Sequence, residues 1–290
     1  TLQELAKYHR SQLNIPIIGI TGTNGKTTTK ELINSVLSTQ YNCYFTKGNL
    51  NNQIGLPLSV LEIEEAHEIA VIEMGASKIG EIENLCNISE PTSGVITNIG
   101  KAHLEGFGSF EGVIKAKTEL YTFLRESNGT TFVNSVDKLL VKQSSENIVV
   151  TCGISENSNF NFKVIETFPF ITIKLNDEII KSNLIGKFQI DNIATAACIG
   201  NFYNISDKNI KLGIENYKPK NNRTEIVETE NNFIILDAYN ANPSSMSSMI
   251  DSFAELNKAN KLCILGEMRE LGSYSEEEHE LLVQKMKTLN

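Results

Sequence analysis

The segment whose residue types and spacing point most directly to chemistry is the glycine-rich run TGTNGKTT at residues 21–28. It lies between a β-branched run and a helical pattern, so its backbone N–H groups can surround phosphate oxygens at a helix N-terminus. In this arrangement Lys26 holds the β- and γ-phosphates and Thr27 binds Mg²⁺. The strict phosphate-loop pattern has glycine where this chain has Ile20, so an ordinary strand-to-helix turn is the alternative. The other loop residues predicted to contact a nucleotide are Gly22, Thr23, Asn24, Gly25 and Thr28.

Three isolated residues could serve a metal ion or a phosphate. Glu73 ends an apolar run, so we expect it at the carboxyl edge of a sheet, where ligands of open α/β sheets bind. His103 follows another predicted strand in a glycine-rich loop, and Lys117 falls on the apolar stripe of a helical pattern. Each has a plainer interpretation: a solvated strand end, a surface histidine, or a lysine whose stem packs while its ammonium reaches water.

Composition excludes several classes of function. The 290 residues are 40% hydrophobic, which is enough for the cores of one large and one smaller domain. A formal net charge of -9 repels a polyphosphate backbone, so we expect no nucleic-acid surface. The five cysteines contain no CxxC pair, which favours a reducing cytoplasm. No apolar run reaches the ~18 residues of a membrane span, so we expect no membrane insertion, and we expect a monomer.

The elements that must position these residues alternate between strands and helices in the first half of the chain. This alternation is typical of an α/β fold with a mostly parallel sheet covered by helices. The strands are predicted at residues 15–20, 69–74, 94–98 and 130–133, and the helices at 26–38, 80–86 and 111–125.

The middle of the chain has a different pattern. Residues 148–181 contain short strand-like runs, with Asn176 and Asp177 as a hairpin turn, and they predict an antiparallel extension of the sheet. The runs lie at 160–165, 170–175 and 178–181, and helices are predicted at 189–203 and 207–215. A domain boundary is expected near residue 220.

After this boundary the strand-helix pattern restarts. Strands are predicted at 233–237 and 261–265, and a helix begins at Pro243. A last helix is predicted from Ser275, which forms a capping-box pattern with Glu278. Two strands are too few for a complete α/β domain.

Several of these motifs together resemble the Mur ligases, which share the TGTNGKTT form with folylpolyglutamate synthases. The segments VIEMGAS at 71–77, ITNIGKAHLEGF at 96–107 and AKTEL at 116–120 are most similar to the branch that adds D-alanyl-D-alanine. The resemblance implies that Thr27 binds a first Mg²⁺ with the nucleotide and that Glu73 and His103 serve two metal sites. It also implies that Lys117 carries a carbamate that supports the second Mg²⁺.

Further segments match the same family. TKGNLNNQIGLP at 46–57 resembles the loop near the muramoyl-peptide substrate, which gives Asn49, Asn51 and Asn52 as substrate contacts. GKFQIDN at 186–192 resembles the segment near adenine and keeps Asn192, but Phe188 and Gln189 replace the usual His and Asn.

The last matching segments lie beyond residue 220. Arg223 falls where the family has an arginine that reaches the phosphates. DAYNANPSSM at 237–246 gives Asp237 and Asn240 as nucleotide contacts, and LGEMRELG at 265–272 has Glu267 where Asp is usual.

The resemblance implies an ATP-dependent ligase that joins D-alanyl-D-alanine to UDP-N-acetylmuramoyl tripeptide through an acyl phosphate, in peptidoglycan precursor synthesis. The catalytic residues implied are Lys26, His103, Lys117 and Arg223. We expect residues 1–219 to form the central ATP-binding domain and 220–290 the first half of a Rossmann-like C-terminal domain, with the UDP-sugar-binding domain absent. The alternatives are another Mur-like ligase, of the third-residue-adding or folylpolyglutamate type, and a nucleotide-binding regulatory module without catalysis.

Overall fold

The structure, a computed structural model, describes residues 1–154, 158–258 and 260–289. Its largest element is a seven-stranded sheet in which every recorded strand pair is parallel, as predicted. The order across the sheet is β2-β3-β1-β4-β5-β6-β7. The strands are β1 (Ile17–Thr21), β2 (Cys43–Phe45), β3 (Ile69–Glu73), β4 (Ser93–Ile96), β5 (Thr130–Asn134), β6 (Ile148–Gly153) and β7 (Phe160–Asn161).

Helices cover both faces of this sheet. Side chains alternate along a strand, so Ile18 and Val71 enter one apolar core while Ile17 and Ile72 enter the other. The buried strands β1 and β3 are therefore apolar on both faces, which is typical of a parallel sheet. The helices are α1 (Leu2–Ser11), α2 (Lys26–Leu37), α3 (Gly55–Leu61), α4 (Glu81–Ser89), α5 (Leu104–Phe107), α6 (Phe110–Glu126), α7 (Lys138–Gln143), α8 (Gln189–Phe202) and α9 (Asp207–Asn216).

A separate three-stranded antiparallel sheet contains β8 (Lys163–Glu166), β9 (Thr172–Leu175) and β10 (Glu178–Lys181). The predicted hairpin turn is confirmed, because Leu175 pairs with Glu178 and Asn176 has a positive φ of 50°. The expectation that the antiparallel region begins at residue 148 is wrong. Residues of β6 pair in parallel with β5 and extend the main sheet.

In the last part of the chain, the described residues form two antiparallel strands, β11 (Glu225–Glu228) and β12 (Phe233–Leu236), and two α-helices, α10 (Pro243–Ala254) and α11 (Ser275–Thr288). A 3₁₀ turn, Gly272–Tyr274, precedes α11. None of the helices in the described ranges has the length and apolar character needed to span a bilayer.

Two sequence predictions fail in this last part. The strand predicted at 261–265 does not form: Leu262 and Ile264 are 77% and 90% exposed, and β12 pairs only with β11 among the described strands. The predicted capping box at Ser275 is also wrong, since Ser275 is already helical and Tyr274 caps α11 without a side-chain bond. The capping box lies instead at the start of α10, between Asn242 and Ser245.

Candidate nucleotide and metal site

A cavity of about 690 Å³ opens where β1, β3 and β4 end. This is the carboxyl edge of the parallel sheet, where ligands of such folds bind. Most of the residues predicted from the sequence line it: Thr23, Asn24, Gly25, Lys26, Thr27, Thr28, Asn49, Asn51, Asn52, Glu73, His103, Asn192, Arg223, Asp237 and Asn240. Gly22 and Lys117 are the predicted site residues that do not line it among those the structure describes.

The glycine-rich loop has a conformation that only glycine adopts without strain. Gly22 has φ 143° and Gly25 has φ 79°. A Cβ atom on Gly22 would lie 2.0 Å from Thr97 Oγ1, and one on Gly25 would lie 2.7 Å from Asn192 Oδ1. The Thr97 hydroxyl also donates a 2.6 Å hydrogen bond to the carbonyl of Asn24. The loop is thus held closely from both sides at the N-terminus of α2, where backbone N–H groups favour an anion.

The ammonium group of Lys26 folds back onto the loop. Its Nζ donates hydrogen bonds to the carbonyls of Gly22 at 2.8 Å and Thr23 at 3.0 Å. Burial lowers the pKa of Lys26, the carboxylate of Glu73 raises it, and Arg223 lowers it. A cation in this position beside the loop is suited to phosphate oxygens.

Glu73 is 1% exposed and lies at the end of β3. Its Oε2 accepts a 3.1 Å hydrogen bond from the Thr27 hydroxyl, and its Oε1 accepts one of 2.8 Å from Asn51 Nδ2. Its backbone N–H donates to Thr46 Oγ1 at 3.0 Å. The two predicted metal ligands Thr27 and Glu73 are therefore neighbours, and the predicted substrate loop contacts the same carboxylate.

Lys30 is a site residue that the sequence reasoning missed. Its side chain is fully buried, its Nζ lies 3.2 Å from Glu73 Oε2, and it donates a 3.0 Å hydrogen bond to the carbonyl of Gly48. The sequence periodicity indicates that Lys30 is buried, because Lys30, Ile33 and Leu37 occur at i, i+3 and i+7, on the apolar stripe of α2. Periodicity had drawn attention to Lys117 in the same way.

His103 lies at the N-terminus of α5 with φ 50°, in the left-handed region. Its Nδ1 is 2.5 Å from Glu270 Oε2, a contact that the sequence reasoning did not foresee. Burial lowers the pKa of His103, Glu270 raises it, and the positive charges of Lys26 and Lys117 lower it. The charges of both predicted catalytic lysines thus act on the loop histidine.

Lys117 is 2% exposed and lies on α6. Its Nζ is 5.5 Å from the ring centroid of Phe107. Burial lowers the pKa of Lys117 to about 7, and the charge of Lys26 acts in the same direction, whereas Glu119 and Glu81 raise it. Burial at this position thus favours the neutral amine over the ammonium form.

Asn192 supports the phosphate loop from α8. Its Oδ1 accepts a 3.0 Å hydrogen bond from Thr29 Oγ1, and its Nδ2 donates a 2.6 Å bond to Gln189 Oε1. Gln189, at the position where the resemblance led us to expect Asn, is 2% exposed. In this chain Gln189 fixes the orientation of the Asn192 amide, and Phe188 lines the cavity beside it.

The last part of the chain contributes the other wall of the cavity. The guanidinium of Arg223 stacks on Tyr239, 3.6 Å from the ring centroid. Asp237 Oδ1 accepts a 3.0 Å hydrogen bond from the backbone N–H of Thr224, and burial raises the pKa of Asp237. Asn240 lines the cavity nearby.

A second amide joins this wall to the phosphate loop. Asn242 Nδ2 donates a 2.7 Å hydrogen bond to Asn24 Oδ1. Asn242 also caps α10, because its Oδ1 accepts from the backbone N–H of Ser245 at 2.9 Å. The Asn-Pro pair that begins α10 was a recognisable signal of a helix start, but its contact with Asn24 spans 218 residues and leaves no local pattern.

The predicted substrate asparagines differ in what they do. Asn51 is bonded to Glu73, and Asn52 Oδ1 accepts from the backbone N–H groups of Ile54 and Gly55 at 3.0 and 2.9 Å. Asn49 is exposed at the cavity. Within the described ranges no three His, Cys, Asp or Glu side chains gather into a metal-binding group.

Comparison with known proteins identifies the family to which this chain is similar. Residues 20–200 match the family model of the Mur ligase middle domain, and residues 222–289 match that of the Mur ligase glutamate ligase domain. The chain belongs to the Mur ligase family. This Mur ligase chain is 37% identical over 283 residues to the UDP-N-acetylmuramoyl-tripeptide–D-alanyl-D-alanine ligase of Bacillus subtilis, with 96% of the chain and 62% of the relative covered.

Solved structures of the family share the fold of this Mur ligase chain. MurF from Acinetobacter baumannii superposes with a TM-score of 0.89 at 30% identity, over 97% of this chain and 63% of that one. A MurF ligase from Thermotoga maritima in complex with ADP superposes with a TM-score of 0.85 at 29% identity, over 98% of this chain and 67% of that one. This Mur ligase chain thus spans about three fifths of the length of the curated relatives it matches.

Proposed function

We propose that this chain carries the nucleotide and metal site of an ATP-dependent ligase that joins D-alanyl-D-alanine to UDP-N-acetylmuramoyl tripeptide. The product is an amide used in peptidoglycan precursor synthesis. The observation that carries the proposal is the meeting of Lys26, Thr27 and the buried Glu73 at the end of the glycine-rich loop. The names of the similar proteins support the choice of substrates.

The proposed reaction has two steps. The terminal carboxylate of the tripeptide attacks the γ-phosphorus of ATP, which gives an acyl phosphate and ADP. The amine of D-alanyl-D-alanine then attacks the acyl carbon, releases phosphate and loses a proton. Lys26 and Arg223 offset the repulsion between the carboxylate and the phosphates, and the loop N–H groups hold the phosphate oxygens.

The residues present fit a first Mg²⁺. The carboxylate of Glu73 and the hydroxyl of Thr27 are 3.1 Å apart and supply the hard oxygen ligands that this ion prefers. When bound, Mg²⁺ neutralises phosphate charge. Lys30 holds Glu73 in place by its ion pair, and Asn51 fixes the other carboxylate oxygen.

A second Mg²⁺ site is proposed beside His103 and Lys117. Carbamylation needs a neutral amine, and the lowered pKa of Lys117, about 7, provides one. The carbamate would replace a poorly tolerated buried cation with an anionic oxygen ligand. The proposed domains are 1–219, which bears the phosphate loop and both lysines, and 220–290, which bears Arg223, Asp237 and Asn240.

We also propose that the protein acts in the cytoplasm. Its five cysteines are free thiols, which fits a reducing compartment. Both proposed substrates are polar and charged, in keeping with the polar side chains that line the cavity.

A ligation assay with a panel of amines tests the proposal. The longest natural protein that contains this sequence is supplied with ATP, Mg²⁺, UDP-N-acetylmuramoyl tripeptide and one amine: D-alanyl-D-alanine, a diamino acid, L-glutamate or none. We expect phosphate release and amide formation with D-alanyl-D-alanine. Preference for another amine would indicate a sister ligase, and ATP hydrolysis that ignores the acceptor would indicate a nucleotide-binding module.

A further inference from the structure

Two residues with left-handed backbone meet where the last part of the chain contacts the first. His103 has φ 50° and Glu270 has φ 61°, and their side chains are joined by the 2.5 Å contact between Nδ1 and Oε2. Such backbone angles are uncommon outside glycine, and they persist where the surroundings enforce them. The surroundings of both residues therefore hold the backbone on each side of this contact.

Apolar packing fixes the segment that carries Glu270. Met268 and Leu271, which flank Glu270, are buried against Leu104 and Phe107 of α5. The backbone carbonyl of Glu270 accepts a 3.4 Å hydrogen bond from the N–H of Glu105. The carboxylate therefore reaches His103 from a segment whose position is set by its neighbours.

The loop that bears His103 is also held on its other side. The backbone N–H of Lys101 donates to Ser244 Oγ at 3.1 Å, and its ammonium lies 2.6 Å from Glu278 Oε1. Glu278 is 7% exposed, so this second contact is sheltered from solvent. The last part of the chain thus contacts this loop both before His103, at Lys101, and after it, at Glu105.

We propose that Glu270 is a positioning residue that sets the ring orientation and tautomer of His103 when the last part of the chain packs against the loop. A carboxylate that accepts a hydrogen bond from Nδ1 keeps the proton on Nδ1. The lone pair on Nε2 is then available to a metal ion in the cavity. The packing of the segment that carries Glu270 against α5 and the His103 loop is thereby coupled to the proposed metal site. This inference rests on the proposed function, because that function gives His103 its ligand.

Substitution of Glu270 distinguishes a positioning role from a role in stability alone, which would lower the melting temperature and leave the His103 tautomer unchanged. Glu270 is 58% exposed, and an ion pair this exposed contributes little to stability. Glu270→Ala should therefore leave the melting temperature almost unchanged but alter the His103 ring. Glu255→Ala is the matched control, because it removes a similarly exposed carboxylate, which pairs with Lys187, and leaves Glu270 and its packing in place. It should change neither the melting temperature nor the His103 tautomer.

Nitrogen-15 NMR of the histidine side chains in the 290-residue chain reads the tautomer directly. The chain has four histidines, so the His103 signals can be assigned by their loss in His103→Gln. At about pH 8, above the ordinary histidine pKa of ~6.5, we expect a protonated Nδ1 in the wild type. Glu270→Ala should shift the population towards the Nε2–H form, and Glu270→Gln, whose amide oxygen can still accept, should restore most of it. An unchanged His103 tautomer in Glu270→Ala would overturn the inference.

A kinetic comparison separates this inference from the proposed function. In the ligation assay Glu270→Ala should lower kcat by about 10–100-fold, as is usual for loss of a group that orients a metal ligand. The KM for ATP should stay within about threefold, since Glu270 does not orient the phosphate loop. The expected NMR shift without ligation would contradict the proposed function alone. Ligation with an unchanged tautomer in Glu270→Ala would contradict this inference alone.

Discussion

Lys30 Nζ lies 3.2 Å from Glu73 Oε2, and the two side chains are 0% and 1% exposed. This buried ion pair is supported by hydrogen bonds from Thr27 and Asn51 to the carboxylate. Removing one partner of such a pair leaves an uncompensated charge in a medium of low dielectric constant. The pair therefore links the stability of the fold to the geometry of the proposed metal site.

Lys30→Met is expected to lower the free energy of unfolding by about 3–5 kcal/mol, because Glu73 loses its counter-ion. Guanidinium-induced unfolding of the chain measures this change. Lys47→Met is the control, since the Lys47–Glu62 pair is exposed and should contribute less than about 1 kcal/mol. A loss below about 1 kcal/mol in Lys30→Met would contradict the role given to the pair.

Lys117→Met is expected to stabilise the chain in a way that depends on pH. The folded pKa of Lys117 is about 7, whereas its ordinary value is 10.5, so the folded state disfavours the charged form. This penalty is fully present below about pH 7 and disappears as pH rises towards 10.5. In buffer free of CO₂, the substitution should raise the free energy of unfolding by on the order of a few kcal/mol near pH 6 and by little near pH 10.

Lys115→Met is the matched control for that series, because Lys115 lies on the same helix but is exposed. Its effect should stay within about 0.5 kcal/mol at every pH. A gain for Lys117→Met that does not change with pH would show that Lys117 does not titrate at a lowered pKa.

Lys26→Ala is expected to reduce turnover in the ligation assay by about 10²–10³-fold, because one electrostatic contact to the transferring phosphate is lost. The fold should persist, since the two hydrogen bonds of Lys26 to loop carbonyls contribute about 1 kcal/mol each. The exposed Lys7 of α1 provides the control substitution Lys7→Ala, which should leave turnover unchanged. Near-normal turnover in Lys26→Ala would remove the basis for the phosphate site.

The sequence predicted best where one local pattern determines the structure. The run predicted at 15–20 is β1 at Ile17–Thr21. The apolar stripe of α6 singled out Lys117, but a lysine whose ammonium reaches water remained an alternative until the structure showed that Lys117 is buried. Residues 261–265 have the composition of a strand, but none of the strands that the structure describes pairs with them. Composition alone could not predict this, because whether a segment forms a strand depends on its neighbours in the sheet.

The parts of the site that could not be predicted depend on contacts between distant residues. Glu270 lies 167 residues beyond His103, as their numbers give, and Asn242 lies 218 residues beyond Asn24. No periodicity or turn signal encodes such pairs. Lys30 was predictable in principle, since its spacing from Ile33 and Leu37 places it on the buried face of α2. The short elements α3, α7 and β2 were also missed, because they have too few residues to show a clear period.

Transfer of an oxygen isotope tests the central claim most directly. The tripeptide is labelled with ¹⁸O in its terminal carboxylate and supplied with ATP, Mg²⁺ and D-alanyl-D-alanine to the longest natural protein that contains this sequence. If the carboxylate attacks the γ-phosphorus, one ¹⁸O atom must leave with each phosphate when the amine displaces it. We therefore expect mass spectrometry to find one ¹⁸O in the released phosphate for each amide formed. Phosphate released without the label would contradict ligation through an acyl phosphate at this site.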